Sequence, residues 1–147
     1  MIVMIGKDFE YMEEHVGDIA FIAYGDTLEE AFSNAAKALI NIMVNIEKVE
    51  PKEVKEVEIR SEDLLGLLKN WLEELLFIFD SEGLVFSVFN VKIEKKNGEY
   101  ILKAKIYGEP FDPEKHEPDT EVKAVSYHMM KIGEIDGKKF VRVLVDI

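Results

Sequence analysis

The sequence lacks several features that would point to common classes of protein. It has no cysteine, which excludes disulfides, zinc–thiolate sites and thiol catalysis. No apolar run approaches the ~20 residues that a helix needs to cross a bilayer. The first residues soon turn acidic and offer no small-residue cleavage site. We therefore expect no transmembrane helix, no secretory signal and a cytoplasmic location.

Basic residues are also scarce relative to acidic ones. The chain has 18 Lys and Arg against 30 Asp and Glu, for a net charge of −12. A protein that binds nucleic acid directly needs a basic surface that neutralises phosphates, and one that binds anionic membranes needs a basic patch. This charge balance argues against both, whereas it permits binding to cations or to a basic protein surface.

Common catalytic motifs are missing as well. There is no Gly-x-Ser-x-Gly, and neither glycine-rich phosphate loop occurs. His15, His116 and His128 are isolated, and no two have the His-x-x-x-His spacing of a metal site. We interpret them as a strand-edge, a loop and a half-buried histidine, respectively.

The composition that remains is that of a folded domain. The 147 residues fit one domain, 1–147, and 48% of them are hydrophobic while 33% are charged. Lys and Glu are abundant and Gln is absent, a composition typical of thermophile proteins.

Hydrophobic periodicity predicts two amphipathic helices, at 27–46 and 62–79, with Thr27 capping the first and Ser61 or Asp63 the second. Period-two alternation predicts strands at 9–13, 19–24, 54–59, 84–94, 100–107, 122–132 and 140–147. Asn97-Gly98 and Asp136-Gly137 are hairpin signals. The proline-containing segment 108–120 is expected to be a surface loop. This order predicts an α+β fold, with a mostly antiparallel β-sheet and two amphipathic helices packed on one face.

Two aspartates at strand ends are the most informative candidates for a functional site. Asp18 comes just before the apolar residues Ile19–Tyr24. Asp146 is the last residue but one of an otherwise apolar strand, and alternation places it on the face of Arg142 and Leu144 rather than that of the valines. A carboxylate there needs a partner, because carboxylates are rarely buried alone.

The partner depends on which strands are neighbours. If the two strands are adjacent, Asp18, Asp146 and a terminal carboxylate at Ile147 could converge on one hard cation such as Ca²⁺ or Mg²⁺. The alternative is an ion pair of Asp146 with Arg142 or Lys123. Lys123 itself is expected to be an exposed charge or to hold the carboxylates in position.

Short motifs occur in order along nearly the whole chain: EHVGDIA at 14–20, AYGDTLEEAF at 23–32, LEELLF at 72–77, GE at 108–109, KH at 115–116, EVKAVSY at 121–127 and VDI at 145–147. Together they resemble the archease family. One departure is visible, because Val16-Gly17 stands where the family has Thr-Ala between the His and the Asp.

The resemblance implies an accessory protein, not itself an enzyme. Its partner would be the tRNA-splicing RNA ligase, which joins 2′,3′-cyclic phosphate or 3′-phosphate ends to 5′-hydroxyl ends. The accessory protein would promote guanylylation of the ligase histidine and multiple turnover, without binding nucleic acid or membrane itself. Carried over by position, the activating residues are Asp18, Lys123 and Asp146. The metal-binding positions are Asp18, Asp146 and Ile147, with Ca²⁺ or Mg²⁺ as cofactor.

Two other functions stay open at this stage. A chaperone-like module would bind proteins through apolar surface near Phe89, Met129 and Met130, without dependence on Asp18. A stand-alone metal-dependent phosphoesterase would turn over without a partner, although the sequence offers no general base beyond the same carboxylates.

Overall fold

The computed structural model describes residues 3–5, 8–12 and 16–147 of the chain. The strands are β1 (Val3–Ile5), β2 (Phe9–Tyr11), β3 (Asp18–Gly25), β4 (Glu53–Ser61), β5 (Leu84–Lys96), β6 (Glu99–Pro110), β7 (Ala124–Ile135) and β8 (Lys138–Asp146). The helices are α1 (Leu28–Met43), α2 (Leu64–Glu82) and the short α3 (Pro113–His116), with a 3₁₀ turn at Ile46–Lys48. The predicted strand-edge position of His15 lies outside the described residues.

Local capping chemistry sets the helix ends, as the sequence indicates. The Thr27 hydroxyl accepts a hydrogen bond from the backbone N–H of Glu30 at 3.1 Å, which fixes the start of α1. Asp63, rather than Ser61, is the cap of α2, and its carboxylate accepts from the N–H of Gly66. The helix α2 ends at Gly83, whose φ of 66° is the left-handed conformation that favours glycine.

The strands form two antiparallel sheets, so the α+β prediction is confirmed. The larger sheet has the order β1-β2-β3-β8-β7 and the smaller has the order β4-β6-β5. The helices pack between the sheets: α1 contacts β3 and β8 on one side and β5 on the other, while α2 contacts β7 and β4. Apolar positions all round α1 are therefore fully buried, including Ala31, Phe32, Ala35, Ala36, Ala38 and Leu39.

The segment 108–120 is not simply a surface loop. The strand β6 continues through Pro110, and α3 follows at Pro113–His116. The side chain of His116 is 0% exposed, whereas we expected a loop histidine. A polar, proline-containing sequence looks solvated, but here it folds back onto the protein through hydrogen bonds that only the tertiary structure provides.

The edge strand β7 also departs from the regular strand that its alternation predicts. Its pairing with β8 shifts register between Ser126 and Lys131, so the intervening residues leave the ladder as a bulge. Met129 within it has a φ of 59°, which is uncommon for a residue with a side chain. His128 in the same bulge is exposed rather than half-buried. In the described residues, no helix is both long and apolar enough to cross a membrane.

Candidate functional site: an acid pair at the end of the larger sheet

The two aspartates singled out in the sequence are directly opposite each other. Asp18, the first residue of β3, pairs with Asp146, the last residue of β8. The N–H of Ile147 donates to the carbonyl of Gly17 at 3.0 Å, which identifies the Asp18–Asp146 pair as a non-hydrogen-bonded one. In such pairs the Cα atoms are only about 4.5 Å apart and the side chains approach most closely. The two carboxylates therefore share one face of the sheet. We call them the acid pair.

That face is the outer one, as alternation along β8 predicts. Val141, Val143 and Val145 are fully buried against the core. Arg142 is half-buried on the outer face, and Asp146 is exposed there. The acid pair is thus open to solvent or to a partner.

Lys123 is held beside the acid pair through its backbone. It immediately precedes β7, and its N–H donates to the carbonyl of Asp146 at 2.8 Å. Its side chain is exposed. The structure thus brings together three residues that the sequence places at opposite ends of the chain: Asp18, Lys123 and Asp146.

The ion pair considered as an alternative is not formed within the described part of the chain. There, no Lys, Arg or His nitrogen lies within 4.0 Å of a carboxylate oxygen of Asp18 or Asp146. Arg142 points elsewhere, with an Nη2 atom 3.9 Å from the sulfur of Met129 and a buried Nε that has no hydrogen-bond partner. Like charges directly opposite in a sheet are destabilising. The acid pair consequently has a repulsion that none of these cations relieves.

The donor chemistry of the acid pair fits a hard divalent cation. Carboxylate oxygens are the ligands that Ca²⁺ and Mg²⁺ prefer, and Mg²⁺ is usually held by one or two carboxylates with the remaining positions left to water or phosphate. Over residues 8–12 and 16–147, no group of three or more His, Asp or Glu side chains is placed to hold a metal ion. Any such cation would therefore rest on two side-chain carboxylates, with further oxygen ligands from elsewhere.

Sequence reasoning missed a buried charge network around Glu109. Glu109 is 6% exposed, and its carboxylate accepts hydrogen bonds from the N–H of Glu50 at 2.9 Å, from Lys115 Nζ at 2.8 Å and from His116 Nε2 at 2.8 Å. Burial acts to raise the pKa of Glu109, but these hydrogen bonds outweigh it and lower the pKa from 4.5 to about 2. The only signal in the sequence was that GE at 108–109 and KH at 115–116 are both among the family-like motifs.

The network fixes the tautomer and the position of His116. The Nδ1 atom accepts the N–H of Asp112 at 2.9 Å, so Nε2 carries the proton that is donated to Glu109. The carbonyl of His116 accepts the N–H of Asn45 at 2.9 Å. We infer that this network anchors α3 and the segment that follows it.

The segment after α3 is then tied to the end of α1. The N–H groups of Asp119 and Thr120 donate to the carbonyls of Met43 and Ile42, at 2.9 and 3.1 Å. These are carbonyls at a helix end that have no partner within the helix. The segment between the buried network and Lys123 is therefore hydrogen-bonded to α1 at Asp119 and Thr120 and to β8 at Lys123.

The apolar surface proposed for a chaperone-like module is smaller than expected. Phe89 is buried against Trp71, with ring centroids 6.1 Å apart, and Met130 is also buried. Met129 is 56% exposed, as is Tyr127, on the bulge of β7. The prediction of exposed apolar surface at Phe89 and Met130 is wrong, because both side chains turn inward.

Comparison with known proteins adds independent evidence. Residues 9–147 match the model of the Archease protein family (MTH1598/TM1083). The chain is 58% identical over 135 residues to the protein archease of Pyrococcus abyssi, covering 91% of this chain and 95% of the relative. It is 44% identical over 143 residues to that of Methanosarcina mazei, covering 97% of each. Several of the relatives come from thermophilic organisms, in keeping with the Lys- and Glu-rich composition.

Solved structures agree with this assignment. The solution structure of protein 1598 from Methanobacterium thermoautotrophicum is 45% identical, with a TM-score of 0.85 over 96% of this chain and 99% of its own. The crystal structure of an archease, possible chaperone, from Thermotoga maritima is 19% identical with a TM-score of 0.52, which shows likeness of fold alone. The match across almost the full length of this chain and of its relatives shows that it belongs to the archease family.

Proposed function

We propose that this protein activates the tRNA-splicing RNA ligase, promoting guanylylation of the ligase histidine and multiple turnover, and is not itself a ligase. The observation that carries the proposal is the acid pair: Asp18 and Asp146 face each other at the end of two neighbouring strands, on the outer face of the sheet, with no cation from the described residues to neutralise them. The resemblance to archeases supplies the partner and the reaction.

The acidic character of the chain supports an indirect role in RNA metabolism. A net charge of −12 disfavours contact with RNA phosphates, whereas it favours a basic protein surface. A ligase that binds RNA and GTP needs such a basic surface around its active site. The acid pair would then be attracted to the region where nucleotidyl transfer takes place.

The residues of the site have distinct roles in this proposal. Asp18 and Asp146 would hold a Ca²⁺ or Mg²⁺ ion, with an oxygen of Ile147 as a third ligand, and present the ion to the ligase. A divalent cation offsets the negative charge that develops on phosphates during nucleotidyl transfer. Lys123, whose backbone is bonded to Asp146, would keep the carboxylates in place or contact a phosphate of the ligase-bound nucleotide.

The test is a guanylylation assay of the purified ligase with GTP across a series of divalent-cation concentrations. Wild-type protein, Asp18→Ala, Asp146→Ala and the control Glu94→Ala would be compared, since Glu94 is an exposed acid on the other sheet. We expect both aspartate variants to lose stimulation by about 10–100-fold, the range that follows perturbation of groups around a metal.

The control separates this loss from a general effect of charge. Glu94→Ala should stimulate like wild type, and in EDTA no variant should melt below the wild-type temperature, which shows that all of them are folded. Full stimulation by Asp146→Ala would refute the role of the acid pair. Suppression of aggregation of unrelated proteins, unchanged by Asp18→Ala, would instead favour the chaperone-like function.

A further inference from the structure

A cleft lies next to Lys123 and includes neither residue of the acid pair in its lining. It has a volume of about 450 Å³ and is formed by the carboxyl-terminal ends of α1 and α2 and by the segment that leads into Lys123. This volume is within the ~300–1,000 Å³ range of sites that bind ligands in proteins. Its apolar lining includes Met43, Val44, Leu76, Phe79, Phe111 and Val122.

The rim of the cleft is acidic. Asp80, Asp119 and Glu121 line it and are exposed, and Lys123 is the one basic residue among its lining residues. Over the described residues, none of these three carboxylates has a Lys, Arg or His nitrogen within 4.0 Å. The negative charge of the rim is therefore available to a partner.

The backbone adds to the negative potential. The last turns of α2 line the cleft, and a helix carries a partial negative charge of about half a unit at its carboxyl-terminal end. The rim and the end of α2 thus act in the same direction. A phosphate group of RNA or of a nucleotide would be repelled, whereas a Lys or Arg side chain would be attracted.

The cleft is also formed in advance of binding. The rings of Phe79 and Phe111 are in an edge-to-face contact, with centroids 5.3 Å apart. The wall carrying Asp119 is held by its N–H bond to the carbonyl of Met43. Little ordering is needed when a partner binds such a wall, which favours affinity.

We propose that this cleft receives a segment of the ligase in which a Lys or Arg lies beside a large apolar side chain. The apolar side chain would fill the cleft, and the basic one would contact Asp80, Asp119 or Glu121. The proposal rests on the proposed function and deepens it by naming the surface through which the ligase is held. The link to the acid pair is Lys123, which belongs to the cleft and is hydrogen-bonded to Asp146.

The experiment measures binding of the purified ligase to three forms of the full-length protein, by calorimetry at low and at high salt. One form is wild type and one carries the rim substitutions D80K, D119K and E121K. The third is a control with E53K, E62K and E94K, which are exposed acids away from the cleft. Each triple variant changes the net charge equally, so a difference between them reports position and not total charge.

We expect the rim variant to bind about tenfold more weakly or worse, with a reduced salt dependence, while the control changes binding much less. A second variant, T120W, fills the cleft without altering its charge and should weaken binding as well. Equal binding by the rim variant and the control, or unaltered binding by T120W, would overturn the proposal. Rim substitutions that alter self-association of the protein but not ligase binding would also overturn it, in favour of a second copy as occupant.

The assay of guanylylation distinguishes this proposal from the function on which it rests. The rim variant should recover full stimulation when its concentration is raised, because its acid pair is intact. Asp146→Ala should bind the ligase normally and fail to stimulate. If wild type stimulates the ligase but the rim and control variants bind it equally well, the cleft is not the docking surface and the proposed function still holds. Rim-dependent binding without stimulation by wild type would refute the proposed function alone, and a wild type that does not bind the ligase would refute both.

Discussion

The acid pair predicts an inversion of stability between wild type and Asp146→Asn when a divalent cation is added. Asp18 and Asp146 are directly opposite on the outer face of β3 and β8, and no described Lys, Arg or His approaches within 4.0 Å. Replacing one carboxylate with its neutral isostere removes the repulsion and leaves the packing unchanged. In the absence of divalent cations, the variant should therefore be the more stable protein.

The geometry of the pair gives the size of the effect. Carboxylates about 5 Å apart repel each other by about 0.8 kcal/mol at a dielectric constant of about 80, which suits an exposed site. Like-charged cross-strand pairs span a similar range, about 0.2–1 kcal/mol. For a chain of this length, 1 kcal/mol corresponds to roughly 2–4 °C in melting temperature. We expect Asp146→Asn to melt about 1–4 °C above wild type in EDTA.

A divalent cation should reverse this order. A ligand at 100 times its dissociation constant stabilises the folded state by about 2.7 kcal/mol, which is more than the repulsion costs. Asp146→Asn retains one carboxylate and should gain much less.

The assay is thermal unfolding followed by circular dichroism, in EDTA and over a titration of MgCl₂ and of CaCl₂. Glu94→Gln is the control, and the difference between its melting temperature and that of wild type should be the same in EDTA and with added cations. An Asp146→Asn protein that is less stable than wild type in EDTA, or two proteins that respond equally to the cations, would show that the pair is not a cation site.

Two further predictions concern the structure around the site. Glu109→Gln should lower the free energy of unfolding at neutral pH by about 1–3 kcal/mol, because the variant leaves buried His116 and the Glu50 N–H with weaker partners. Because the pKa of Glu109 is lowered to about 2, the stabilisation that its carboxylate provides is complete above pH ~4.5 and is lost as the pH falls towards 2. Urea denaturation over that interval should therefore show that wild type loses more free energy of unfolding than the variant. Gly108→Ala should destabilise the protein by about 1–3 kcal/mol or more, because a Cβ there would overlap the carbonyl oxygen of Val85, a backbone atom that cannot move aside. A Gly108→Ala protein with wild-type stability in the same denaturation would contradict this close approach.

The features predicted correctly from sequence are those that local chemistry determines. The caps Thr27 and Asp63 act within one helical turn. The two hairpins follow from Asn97-Gly98 and Asp136-Gly137, where both residues of each pair have positive φ. Capping and turn preferences are intrinsic to these residues, so no knowledge of the rest of the molecule is needed.

The division into two sheets could not be predicted, because it depends on which strands pair over long distances. The strand β6 pairs with its hairpin partner β5 on one side and with β4 on the other, while β8 pairs with β7 and with β3. Every one of these strands alternates with the same period, so the pattern is equally compatible with one sheet. From the sequence, the convergence of Asp18 and Asp146 could therefore be predicted only on the condition that their two strands are neighbours.

The errors at His116 and in β7 have a similar origin. His116 lies in a polar segment, and what buries it is a set of partners brought from elsewhere, Glu109 and the backbone of Asn45. The bulge between Ser126 and Lys131 has no glycine or proline to mark it, and its one trace in the sequence is the consecutive Met129-Met130, where the alternation changes phase. In both cases the deciding interactions are tertiary.

Stability and function oppose each other at the acid pair, and this opposition strengthens the functional interpretation. Two carboxylates facing each other across β3 and β8, one half-buried and one exposed, cost the folded protein free energy, and an Asn at either position would relieve it. The rest of β8 shows no such cost, because Val141, Val143 and Val145 fill the core completely. Strain of this kind is typical of sites that are retained for what they bind. A variant of the acid pair that is more stable than wild type but cannot stimulate the ligase would therefore show that the residue is needed for function and not for stability. A purely structural role for Asp146 does not allow that result.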